Sequence, residues 1–327
     1  MSKKYPAEKP SGYHPMTRIL KNLMIGAAIA VSVGCATKQE PVTVAFFGDQ
    51  GLSEDARAVL QMVIEEGAGI VLHQGDLDYA DDPVAWDAMI PEELGADFPY
   101  FESIGNHDSR AWDGPDGYQA KMQARLDRVE GANCSGNLGI KAACTYDGLF
   151  FILSAAGWVP REPDNPEHIA FIREQLAESD AAWEICSWHM NMTEMQLGRK
   201  RDAVGWGPYR ACREAGAIIV TGHEHSYSRT HLMDSFETQS IASTSSTLMI
   251  EDGKSFVAVV GTGGQEVRPQ RRSGDWWASI YTSSQDALAG ALFCTFRADG
   301  ESDKARCYFK NIAGEIIDRF ELKKISP

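Results

Sequence analysis

One set of side chains in this sequence could share a single piece of chemistry: Asp49, Asp76, Tyr79, Asn106, His189, His223 and His225. Each offers an oxygen or nitrogen donor, and each falls at or just past the end of a short apolar run. Two aspartates held together without a cation repel until one takes up a proton. If Asp49 and Asp76 are neighbours, they therefore form either a proton-sharing dyad or part of a metal site. The later residues choose between these. A single histidine past a strand is ordinarily a packed residue, but donors of both kinds at successive strand ends are not explained by packing.

The elements that would position these groups can be read in turn. Residues 42–47 form an apolar strand ending in Gly48-Asp49-Gln50-Gly51, and residues 70–72 form a second, ending in Gly75-Asp76-Leu77-Asp78-Tyr79. Continuous apolar runs suit strands covered on both faces. Between them Ala56, Val59, Leu60, Val63 and Ile64 mark one apolar helix face, closed by Gly67. That is a βαβ unit. Its strands are expected to be parallel neighbours, with Asp49 and Asp76 side by side at the carboxyl ends, where open α/β sheets place their sites. A helix is expected around residues 84–90. Further strands at 100–104, 184–188 and 217–220 lead into Gly105-Asn106-His107-Asp108, His189 and Gly222-His223-Glu224-His225. His73 reads as a packed residue inside its strand, and His168 as an exposed residue opening a helix over 169–176.

Beyond Thr230 the chain is loop-rich. Strands at 256–260, 290–296, 305–309 and 316–322 are expected to make the antiparallel part of a second sheet. The fold class is therefore α/β, a two-sheet mixed β-sandwich flanked by helices. The glycine loop at 261–266 lacks the strand-to-helix context of a nucleotide site, so no cofactor is assigned to it. The run Gly198-Arg199-Lys200-Arg201 follows His189 and either meets a substrate phosphate or is a solvated face.

Composition bounds the partners. The chain has 327 residues, 43% hydrophobic and 24% charged, an ordinary globular composition, and a formal net charge of −15. Nucleic-acid binding, which needs clustered Lys and Arg, is not expected. A small anionic substrate would need a local positive centre such as a metal ion.

At the N-terminus, Arg18 and Lys21 precede an apolar run at 23–33, too short to span a bilayer and about the length of a signal-peptide core. Cys35 follows Ser32-Val33-Gly34, which resembles a bacterial lipoprotein signal. Residues 1–34 are accordingly read as a signal peptide, Cys35 as the first mature and lipidated residue, residues 36–41 as a short tether, and residues 42–325 as the folded domain. A simple export signal cleaved nearby is the alternative. Either way the protein is expected to be exported, in the periplasm or at the cell surface, with any membrane contact through the lipidated terminus alone. Setting Cys35 aside, Cys294 and Cys307 flank a turn as cross-strand partners would, Cys134 and Cys144 bracket a glycine-containing loop, and Cys186 and Cys212 could pair by default. Other connectivities, and buried free thiols, stay open.

The ordered blocks Gly48–Gly51, Gly75–Tyr79, Gly105–Asp108, His189 and Gly222–His225 resemble the motif set of the calcineurin-like metallophosphoesterases, and among them the purple acid phosphatases. The resemblance runs from about residue 44 to 230 and extends past the ligands at 75–81 and 222–230. It implies that Asp76 bridges two metal ions. Asp49, Tyr79 and His225 would complete the first ion's protein ligands, and Asn106, His189 and His223 the second's. The family often carries a histidine ligand where this chain has Gln50. The phenolate of Tyr79 suits a trivalent cation, so ferric iron is expected at the first site and Zn, Mn or ferrous iron at the second.

The implied reaction is hydrolysis of a small-molecule phosphate ester, most simply a phosphomonoester, by in-line attack of a metal-bridging hydroxide. His107 would protonate the leaving group. Asp108 would either orient the His107 imidazole or cap the loop. Alternatives are a phosphodiesterase or nucleotidase of the same superfamily, or a non-catalytic metal-binding surface lipoprotein.

Overall fold

The computed structural model describes residues 40–325. The expectations for the signal peptide, for Cys35 and for most of the tether lie outside these residues. Among the described residues, no helix is long and apolar enough to cross a membrane.

Two large sheets pack into a sandwich. One runs in the order Thr247–Ile250, Ile316–Lys324, Lys304–Asn311, Gly290–Phe296, Val42–Phe47, Ile70–His73 and Tyr100–Glu102. The other runs Trp277–Tyr281, Tyr227–Thr230, Val257–Val260, Ile218–Thr221, Trp183–Trp188, Leu149–Ser154, Lys141–Tyr146 and Asn133–Asn137. A two-stranded ribbon, Leu232–Ser235 with Ser240–Ser243, forms a separate small sheet. The expected βαβ unit is present: Val42–Phe47 and Ile70–His73 pair in parallel, Ala45 opposite Val71. The connecting helix Glu54–Glu65 starts where the Ser53 hydroxyl accepts from Ala56 N, and buries Ala56, Val59, Leu60 and Val63.

Sheet membership differs from expectation in the C-terminal third. Gly290–Phe296, Lys304–Asn311 and Ile316–Lys324 do form an antiparallel meander, but Gly290–Phe296 pairs antiparallel with Val42–Phe47. They therefore extend the sheet that carries Asp49 and Asp76. Val257–Val260 alone joins the other sheet, parallel to Ile218–Thr221. Alternation of side chains specifies which face is buried, not which edge a strand will find.

Period-two alternation divides the core. In Val257–Val260, Ala258 and Val260 join the larger apolar cluster, with Phe46, Leu72 and Leu292 of the facing sheet. Val257 and Val259 join the smaller one, with Ile172 and Leu176 of helix Pro166–Glu178 and Tyr209 of helix Trp206–Glu214. Both faces of this sheet are thus covered, which is why its central strands read as unbroken apolar runs.

Three disulfides close Cys134–Cys144, Cys186–Cys212 and Cys294–Cys307. Cys134 with Cys144, and Cys294 with Cys307, sit directly opposite each other on paired strands. His168 is a correction. It is buried rather than exposed, with Nδ1 against the Ser154 hydroxyl at 3.0 Å and Nε2 against the Val159 carbonyl at 2.7 Å. The helix begins earlier than expected: Asn165 caps it by accepting from Glu167 N and His168 N, and Pro166 fills its first turn. That draws His168 inward.

Candidate metal centre

The donors predicted from sequence converge where the strands of both sheets end. Asp49, Asp76, Tyr79 and Asn106 follow strands of the seven-stranded sheet; His189, His223 and His225 follow strands of the eight-stranded one. They fall into two groups. In the first, the Tyr79 hydroxyl donates to Asp49 Oδ1 at 2.7 Å and lies 3.1 Å from His225 Nε2, which is 3.3 Å from the same Asp49 oxygen. In the second, His189 Nε2 lies 3.2 Å from Asp76 Oδ2, 3.2 Å from Asn106 Oδ1 and 3.1 Å from His223 Nδ1. Asp76, His189 and His223 together form a cluster able to hold a metal ion.

The loops are built to hold these positions. Asp49 N, Gln50 N and Gly51 N donate in succession to the carbonyls of Gly75, Asp76 and Leu77, so the first two motif loops run as a short ladder. Gly105 passes so near Asp76 that a Cβ would come within 2.1 Å of Asp76 N and Oδ1. Only glycine fits there. Asp49, Asp76, Tyr79 and His223 all adopt positive φ, between 57° and 70°. Strained backbone of this kind in non-glycine residues gathers at functional sites, where surrounding structure holds it.

The electrostatics fit a cation pair. Burial works against ionising Asp49 and Asp76, yet His225 holds Asp49 well below the usual carboxylate range and His189 lowers Asp76. Burial would also depress His189, but the Asp76 carboxylate outweighs it and holds the imidazole up at about 8. Burial, with the neighbouring Asp49 and Asp76 carboxylates, pushes the Tyr79 phenol well up. Burial, His189 and Lys200 push His223 well down, leaving it neutral, the form that ligates metal. His189 Nδ1 donates to the Gln74 carbonyl at 2.7 Å and His225 Nδ1 to the Glu266 carbonyl at 3.1 Å. Both rings therefore turn Nε2 toward the cluster, as outer hydrogen bonds commonly orient metal-binding histidines.

Asp108 takes the loop-capping role and does not orient His107. Its buried carboxylate accepts from Asp76 N at 2.9 Å, Leu77 N at 2.8 Å and Gly105 N at 2.7 Å. Burial, with Asp76 alongside, nevertheless pushes the carboxyl up to about 7. The His107 ring is exposed and lies over Tyr79 with centroids 4.5 Å apart, while its backbone N donates to Asp76 Oδ1. Gln50, at the position where the family often has a ligand, is buried and accepts from the Tyr100 hydroxyl at 2.7 Å. His73 is packed as expected, and burial lowers it to about 3.

Sequence reasoning missed several supports. The buried Asn191 amide donates to the Gly222 carbonyl at 2.6 Å and accepts from the Thr221 hydroxyl, tying the His189 loop to the His223 loop. The glycine loop at 261–266 braces Asp49: Gly263 N donates to the Gly48 carbonyl and Gln265 N to the Asp49 carbonyl. A Cβ on Gly261 would reach 2.7 Å from Asp49 Oδ2. Glycine after a strand was the visible signal for that loop; an asparagine two residues past a histidine carries none. A cleft of about 680 Å³ opens beside Asn106, His107 and His223, and Trp158, Arg161, Lys200, Arg201 and Arg268 also line it. Another of equal volume shares none of these residues, so convergent donors rather than volume identify the site.

The fold resembles that of the purple acid phosphatase PPD1 of yellow lupin seeds, with TM-score 0.62 and 17% identity over 88% of this chain and 54% of that one. This chain thus spans little more than half the length of the lupin protein. It also resembles GAP50, the anchor in the inner membrane complex of Plasmodium (TM-score 0.57, 13% identity, 88% of this chain and 90% of that one). A third likeness is to PhoD (TM-score 0.50, 13% identity, 85% and 72%). No curated protein matches the sequence. Residues 42–227 match the calcineurin-like phosphoesterase family model, a span that begins with the strand before Asp49 and ends two residues past His225. The chain belongs to the calcineurin-like phosphoesterases, a family of phosphoric ester hydrolases.

Proposed function

We propose that this protein is a binuclear metal-dependent phosphatase acting on small-molecule phosphomonoesters, exported and anchored through a lipid on Cys35. The observation that carries the enzymatic reading is the sorting of the donors into two adjoining groups, one around Asp49, Tyr79 and His225, the other around Asp76, Asn106, His189 and His223. Asp76 would be shared between them. The hard phenolate of Tyr79 supports ferric iron in the first group, and the imidazole-rich second suits Zn, Mn or ferrous iron. When bound, such a pair supplies positive charge for the phosphoryl oxygens and acidifies water for attack at phosphorus.

The chain's own residues do the rest. Carbonyls of Gln74 and Glu266 fix the imidazole orientations, and Asp108 holds the backbone beneath Asp76 in place. His107, exposed beside Asn106 at the cleft, would give a proton to the departing alkoxide.

The test compares an aryl phosphate monoester with the corresponding diester, using metal-replete protein and its Asp76→Ala variant, with elemental analysis of both. Monoester turnover and two metals per chain are expected, with both lost in the variant. A preference for the diester would replace monoesterase with phosphodiesterase, and a fully metallated protein inert toward every ester would overturn the enzymatic reading. Export and lipidation rest on the sequence of residues 18–35; an unacylated mature terminus beyond Cys35 would refute them.

A further inference from the structure

The cleft beside the donor cluster has an electrostatic character opposite to that of the whole chain. Net charge is −15, and basic residues elsewhere commonly face carboxylates: Arg57 with Glu93, Arg229 with Asp318, Lys310 with Glu66. Arg161, Lys200, Arg201 and Arg268 all line this one cleft, against the single lining carboxylate of Asp202, which accepts from Thr193 N. Among the described residues, none of the four appears in an ion pair or donates a side-chain hydrogen bond; Arg161 stacks on Trp158, its guanidinium carbon 4.1 Å from the ring centroid. Lys200 is pulled below its ordinary pKa by burial, which outweighs the nearby Asp49, Glu224 and Asp76 carboxylates, and Arg268 adds to the lowering.

These cations ride on three loops tied to one another. Asp164 N donates to the Val204 carbonyl, joining the Arg161 loop to the Lys200 loop. Arg271 N and Arg272 N both donate to the Leu197 carbonyl, joining the Arg268 loop to the same segment. Arg268 N donates to the His225 carbonyl, which registers the collar against the donor cluster. The loops that carry these charges are therefore held in register around the cleft by backbone bonds.

With Asp202 the one carboxylate in the lining, one phosphoryl group engaged at the donor cluster still leaves a positive balance at the rim. Guanidinium forks match phosphate oxygens two at a time, and clustered cations with low-dielectric walls concentrate anions. We propose that the collar of Arg161, Lys200, Arg201 and Arg268 is a second phosphate subsite, so that the preferred substrates are small molecules carrying two phosphate groups, one cleaved and one held. This rests on the phosphatase reading and specifies its substrate class.

The experiment measures kcat/KM on the metal-loaded full chain for a hexose 6-phosphate and for the 1,6-bisphosphate of the same sugar. The bisphosphate should be favoured by about tenfold or more, the worth of one or two charge-assisted contacts. In the Arg161→Met/Arg201→Met variant the ratio should fall toward one, and Arg201→Lys should retain part of it. Both arginines are exposed and without an ionic partner, so the substitutions leave no buried orphan in the fold. Equal kcat/KM for the two sugars in the parent protein, or a ratio unmoved by the double substitution, would overturn the second subsite while leaving the phosphatase reading intact. Failure to hydrolyse either sugar phosphate or an aryl phosphate would instead remove the phosphatase reading, and the subsite with it.

Discussion

Replacing Asp108 by Asn separates two roles that one carboxylate could play. Its Oδ2 receives Asp76 N and Gly105 N, and its Oδ1 receives Leu77 N. An asparagine can keep its oxygen for the first pair but must then turn its own amide toward Leu77 N–H, leaving that buried donor without an acceptor at a cost of about 1–3 kcal/mol. The two surviving bonds also weaken, from charge-assisted to neutral, by roughly 0.5–1 kcal/mol each. The neutral amide in turn relieves the burial that raises the carboxyl, which offsets part of the loss. A net destabilisation of about 2–3 kcal/mol follows, a fall in Tm of roughly 4–6 °C for a domain of this size.

Because the released donor is Leu77 N, next to Asp76, and the bonds to Asp76 N and Gly105 N are weakened, metal occupancy should fall in step, and excess metal should restore much of the turnover. Calorimetry, elemental analysis and kcat with and without added metal read these together. An unchanged Tm and full metal content with a large loss of kcat would mean that Asp108 works through His107 after all, and the clamp argument would be wrong.

Tyr79→Phe should abolish any phenolate-to-iron absorption band and, in metal-free protein, cost about 1–2 kcal/mol through the lost 2.7 Å bond to Asp49; a band that survives the substitution would exclude Tyr79 as a ligand. His168, lowered by burial, holds a proton less readily in the folded state than in the unfolded chain, which protonates near its ordinary value, so it contributes stability above about pH 6.5 that is lost as pH falls below it. The His168→Gln variant should therefore show a shallower decline in unfolding free energy from urea titrations between pH 7 and pH 5, by up to about 1.4 kcal/mol per pH unit; identical slopes would refute this. Cys186→Ala/Cys212→Ala, which opens a loop of separation 26, should cost about 3.5 kcal/mol by loop-closure entropy, against about 2.7 for Cys134→Ala/Cys144→Ala with separation 10. The reverse order in denaturant unfolding would count against that account.

The donor set was legible in the sequence because each donor is punctuated locally: an apolar strand, a break, then Asp49, Asp76, Asn106 or His223 at a fixed offset. The βαβ unit was legible for the same reason, its helix face being periodic and its handedness constrained. What failed was non-local. Nothing in the alternation of Gly290–Phe296 says that it will pair with Val42–Phe47, more than 240 residues earlier, rather than with Val257–Val260. Asp108 next to His107 fits two roles equally until Asp76 N and Gly105 N are seen to converge on it. His168 was misread because polarity at a helix start usually means exposure, and only Ser154 and Val159, brought over it by the fold, make it buried. Arg161 and Arg268 lie on loops with no period and no motif, so the collar exists only in three dimensions.

The donors of each group come from both sheets, so a metal pair bound there, as proposed, would rivet the layers together as well as do chemistry. An ion bound by Asp49 and Tyr79 on one side and His225 on the other holds only while the two layers keep their registry, so its binding free energy is also cohesion between them. A metal at a thousandfold excess over its Kd contributes about 4 kcal/mol to the folded state. By reciprocity, anything that lets the layers slide weakens the grip on the ion. Inactivation by heat and loss of metal are then one event: a chelator should soften the whole sandwich, and a cavity cut between the sheets, far from any ligand, should register first as a weaker hold on the metal.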